Sequence, residues 1–66
     1  MHMNELSVYE ESGRKAGVAA NHDDWSLVKF EQDWLRRAQA LETEAYAREA
    51  NLAWRAAYSG ARRIGR

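Results

Sequence analysis

His22, Asp23 and Asp24 stand side by side. An imidazole and two carboxylates are the donor types that hold a divalent cation. Their spacing is purely local and matches no ligand pattern, and capping of a following helix already accounts for both aspartates. Glu42, Glu44 and Glu49 sit among helix-forming residues and read as solvent-facing side chains rather than a carboxylate pair around a cleft. The serines have no activating histidine that the sequence places beside them. No metal or other cofactor is implied, and the chain reads as a protein that is not an enzyme.

The other chemistry-bearing residues suit binding. Arg48, Arg55 and Arg62 recur every seven residues, with Arg37 on the same side of a helix. Such a ridge could track phosphates, but long arginine stems also flank hydrophobic seams. Trp54, Tyr58 and Tyr46 are the aromatic types that anchor protein interfaces, and they also suit a packed seam.

Two helices are expected to position these groups. Turning 100° per residue from Trp34, the residues Leu27, Phe30, Trp34, Ala38, Leu41, Ala45, Leu52 and Ala56 fall in one stripe. No glycine or proline interrupts 24–59, so the pattern predicts one helix over about 24–60, with Gly60 free to cap it. A second, looser apolar strip comprises Val28, Leu35, Tyr46, Ala50, Ala53, Trp54 and Ala57. Upstream, Ser7 and Glu10 fit a capping box, and a shorter helix is predicted over about 5–20. Its Gly13 and Gly17 each cost roughly 1 kcal/mol against alanine. That cost points to close helix–helix approach, with room made for Phe30 and Trp34. Residues 21–24 form the turn, with Asn21 closing the first helix, and 61–66 form a basic tail.

The 66 residues make one small all-α domain, and a chain of this size is marginal on its own. Cysteine is absent, which excludes disulfides and fits a reducing cytoplasm. No apolar run approaches the ~20 residues of a membrane span, and the N-terminus lacks a signal-peptide core. Formal net charge is zero, yet residues 1–49 carry ten acids and six bases while 50–66 carry four arginines and no acid.

Helices of about 15 and 36 residues would measure about 23 and 54 Å. The short one cannot cover the far half of the long one, which predicts a homodimer with Leu27, Phe30, Trp34, Leu41, Ala45, Leu52 and Ala56 in core or dimer packing. The charge asymmetry favours antiparallel chains, giving a helical hairpin paired into a four-helix bundle. A break near Thr43 or Asn51 would remove that argument. In outline this shape resembles the small dimeric helical hairpins typified by the plasmid Rop protein. It is also similar to the small helical proteins with which bacteriophages inhibit host regulators or motility machinery. The likeness is of shape and size, so no residue role comes from it. The expected function is a dimeric, protein-binding inhibitor or anti-activator of a larger protein, docking through Trp54, Tyr58, Tyr46, Arg48, Arg55 and Arg62. The alternatives are a nucleic-acid-binding regulator using the C-terminal arginines and a structural assembly subunit.

Overall fold

The computed structural model describes residues 6–64, which form three helices in sequence: α1 (Leu6–Asn21), α2 (Trp25–Gln39) and α3 (Glu44–Ile64). The expectations for residues 1–5 and 65–66 lie outside the described residues. Ser7 is already inside α1, so the Ser7–Glu10 box does not open that helix.

The first turn closes with paired backbone bonds. Asp24 N donates to the Ala19 carbonyl (2.8 Å) and Asp23 N to the Ala20 carbonyl (3.1 Å), the two bonds that satisfy a helix C-terminus around a left-handed residue. That residue is Asp23, at φ 58°, rather than Asn21; aspartate tolerates this region better than most side chains. Asp24 then caps α2, its carboxylate accepting from Leu27 N at 3.3 Å. Of the two aspartates expected to cap the following helix, Asp24 does so, whereas Asp23, in the middle of the three-residue turn, closes α1.

The expected helix over 24–60 is two helices. α2 ends at Gln39, and the amides of Ala40, Leu41 and Glu42 turn back onto the carbonyls of Arg36, Ala38 and Gln39. Thr43 opens α3: its Oγ1 accepts from Tyr46 N at 3.2 Å and its carbonyl from Ala47 N at 2.8 Å. The Gln39 side chain spans the break by donating to the Ala47 carbonyl (2.9 Å). α3 therefore folds back instead of running on, and the longest dimension is 34 Å. The far half of the supposed rod lies against α1, so the length mismatch that called for a second chain does not exist. The likeness to a two-helix dimeric hairpin goes with it. Gly60 is helical and caps nothing, since α3 continues to Ile64 through the first part of the supposed basic tail.

Gly13 lies opposite Trp54, Gly17 opposite Tyr58 and Ala61, and Asn21 donates to the Ala61 carbonyl (3.0 Å). α3 thus runs parallel to α1. Ser12 meets Glu31, and Ala19 and Ala20 cluster with Val28, so α2 runs antiparallel to α1. α1 packs mainly on α3 and next on α2, while α2 and α3 barely touch.

The looser apolar strip is the one that forms the core. Val28, Leu35, Ala50 and Trp54 are buried with Tyr9, Ala16, Ala19 and Ala20, and Tyr46, Ala53 and Ala57 are half-buried. Burying one large apolar side chain contributes roughly 1.5–3 kcal/mol. In the stripe that looked stronger, Leu27, Phe30, Leu41, Ala45, Leu52 and Ala56 are exposed, and Trp34 and Ala38 are half-buried. Gly13 and Gly17 are buried as expected, but they admit α3 rather than Phe30 and Trp34.

Candidate functional site

Three helices meet at one hydroxyl. Ser12 on α1 accepts a hydrogen bond from Trp54 Nε1 of α3 at 2.9 Å and donates to Glu31 Oε1 of α2 at 2.6 Å. All three side chains belong to buried residues. The Ser12 proton is committed to the carboxylate, and one lone pair to the indole. The arrangement orients the three helices about one oxygen, and Ser12 and Glu31 also form part of the wall of the groove between α1 and α2. Ser12 and Glu31 were not singled out from sequence. The available signal was spacing: Ser12 lies three residues from Tyr9, and Glu31 lies between Val28 and Leu35 on the same α2 face.

Around this centre the molecule presents two unlike sides. On the α1 side, a groove between α1 and α2 is walled by Val8 and Phe30, with Trp34 partly exposed in its lining. Val8 is 52% and Phe30 57% exposed. Val18 and Leu27 extend the apolar surface toward the first turn. A second groove, between α1 and α3, is lined by Val18, Ala56, Gly60 and Ile64. The exposed Glu11–Arg14 ion pair stands on α1 between them. Isolated exposed apolar residues are ordinary; here Val8, Phe30, Val18 and Leu27 line two grooves that share Lys15.

On the opposite side, a slot between α2 and α3 has the buried Leu35 and Trp54 at its floor and Gln32, Arg36, Gln39, Asn51 and Arg55 along its walls. At one end the Arg62 guanidinium lies 6.0 Å from the Trp25 ring centre and 5.9 Å from that of Tyr58, within cation–π range. Arg48, Arg55 and Arg62 are exposed, and they follow one flank of α3 by their seven-residue spacing. None has an acidic partner within 4 Å among the described residues. Arg36 pairs with Asp33, as does Lys29.

The residues expected to bind a partner are therefore divided. Trp54 is 4% exposed and belongs to the core, where its ring stacks on Tyr58 at 5.3 Å between centres. Tyr46 and Tyr58 are half-buried and pack against that core. Arg48, Arg55 and Arg62 remain outside. Val8, Val18 and Lys15 on the apolar side were missed; they lie on the outer surface of α1, which carries little hydrophobic periodicity of its own. His22, Asp23 and Asp24 do not converge, and among the described residues no group of three metal-ligating side chains comes together. No described helix is long and apolar enough to cross a membrane. Comparison with protein-family models, with curated proteins and with solved structures finds no match.

Proposed function

We propose that the chain is a small, non-enzymatic protein-binding module that blocks or redirects a larger protein. The reading is carried by the α1–α2 groove, where Phe30 and Val8 stand more than half exposed beside Trp34. Leaving such side chains in water forgoes roughly 1.5–3 kcal/mol for each large one, and a partner that covers them recovers it. The aromatic pair supplies the kind of anchor on which interface energy concentrates. Trp54, buried in the core, supports the fold in this reading rather than the contact. The groove would take an apolar helix or loop of the partner.

A photoreactive residue at position 30, compared with one at the exposed position 52 on α3, tests the surface. Crosslinking of one discrete protein from position 30 alone, lost in a folded Phe30→Ser variant whose crosslinker sits at position 8, is the expected result. Equal labelling from both positions, or labelling unaffected by Phe30→Ser, overturns the reading. Sedimentation of the isolated chain identifies a second copy as the occupant if Phe30→Ser converts a dimer to a monomer.

A further inference from the structure

We infer that the slot between α2 and α3 binds an acidic helix of another protein. The packing sets the shape. α1 contacts both other helices, whereas those two hardly meet, so in cross-section α1, α2 and α3 occupy three corners of a square. The fourth corner, diagonal to α1, is the slot. A helix placed there completes the four-helix arrangement in which each helix has two neighbours.

The walls set the chemistry. Apart from Leu35 and Trp54 the slot lining is polar: it includes Gln32, Asn51, an Arg55 without an ion-pair partner among the described residues, and Arg36, which pairs with Asp33. Arg48 and Arg62 lie beyond it, one heptad to either side of Arg55 on the same flank of α3. An apolar segment would strand these groups against it, since burying an unpaired polar group is costly. A helix bearing carboxylates would satisfy them. Seven residues of helix advance about 10.5 Å, so an antiparallel or parallel partner with an acid at every seventh position meets each arginine in turn. A nucleic-acid strand presents a phosphate about every 3.4 Å along a duplex axis, and a duplex is too wide for a helix-sized corner. A second copy fits poorly: of its acids seven residues apart, Asp24 and Glu42 lie outside the helices, and Glu31 is buried against Ser12.

The site is independent of the apolar groove, which lies on the other side of α1. Were both occupied, the chain would bridge two polypeptides.

The test uses a synthetic helical peptide of about 21 residues, roughly 31 Å long, with glutamate at every seventh position. Its binding is followed by tryptophan fluorescence, because Trp25 flanks Arg62 at the slot mouth. Salt-sensitive binding is expected, weakened about tenfold by the double variant Arg55→Glu/Arg62→Glu. The lysine version of the peptide should not bind. Arg37→Glu, exposed on α2 away from the slot, and Phe30→Ser should both leave binding unchanged, which separates this site from the groove. Far-ultraviolet circular dichroism shows whether each variant is folded, and the exposed arginines make this the expected state. The proposal is overturned if the glutamate peptide does not bind, or binds the double variant equally well. It is also overturned if single-stranded oligothymidylate binds more tightly and depends on the same arginines.

Discussion

Side-chain hydrogen bonds cross both seams of α1, from Trp54 and Asn21 on one side and Ser12 on the other, but only the seam with α3 is closed by the lack of side-chain atoms. At Gly13 an added Cβ would collide with the Trp54 carbonyl, and at Gly17 it would lie 2.6 Å from the Tyr58 carbonyl oxygen and 2.7 Å from the Ala61 methyl. The backbones touch, and the seam has no slack. Across the other seam Ser12 reaches Glu31, with Tyr9 and Trp34 packed at a 5.5 Å ring separation. Here longer side chains hold the helices apart. Close approach confers position, because only one register lets two glycines face a continuous backbone. The hydrogen bond confers orientation, because it is lost when α2 rotates.

The largest expected effect comes from Gly13→Ala. Alanine gains up to ~1 kcal/mol in helix propensity, yet overpacking against backbone costs about 1–3 kcal/mol or more. We expect a net loss of about 2 kcal/mol in urea denaturation. A neutral or stabilising result would show that the helices are not in contact there. Next comes Ser12→Ala, which strands both Trp54 Nε1 and the Glu31 carboxyl; a loss of about 1–3 kcal/mol is expected. Pairing it with Glu31→Gln in a double-mutant cycle isolates the α1–α2 contribution, and a coupling near zero would remove the polar half of the contrast.

Thr43→Ala removes the cap that opens α3 and should cost about 1 kcal/mol. If the variant instead sediments as a dimer with increased helicity, the break depends on that one hydroxyl. Smallest, and opposite in sign, is Gly60→Ala. A Cβ there meets nothing within 4 Å, so thermal unfolding should report a gain of up to ~1 kcal/mol. A loss would reveal a constraint on α3 that the three helices do not impose.

Much of the local structure is legible in the residues themselves. Helicity, a turn that ends at Asp24 and close helix approach at Gly13 and Gly17 follow from residue type; that the approaching helix is α3, and not the one bearing Phe30 and Trp34, does not. The break at 40–43 does not, because Ala40, Leu41, Glu42 and Glu44 are good helix formers and no glycine or proline marks it. Thr43 followed by an acid was the one cue, and a single capping residue is weak beside such propensity. Missing the break misplaced the core. Ranking strips by bulk favours Leu27, Phe30 and Leu52, whereas a seam set by glycines selects small residues, Ala16 beside them on α1 and Ala61 facing Gly17 from α3, with one tryptophan filling the centre. The arginine ridge on α3 was legible from its spacing alone. The slot beside it was not, since it exists only because α2 and α3 lie apart.

The Ser12 oxygen belongs to no one helix in particular. Peeling away α2 would leave the serine proton unclaimed, and peeling away α3 would leave the carboxylate and hydroxyl joined around a hole the size of an indole. Fraying from either end of so small a chain is thus checked at the same atom. The three segments are therefore expected to come apart together, in one concerted melt, even though only short turns tie them in sequence.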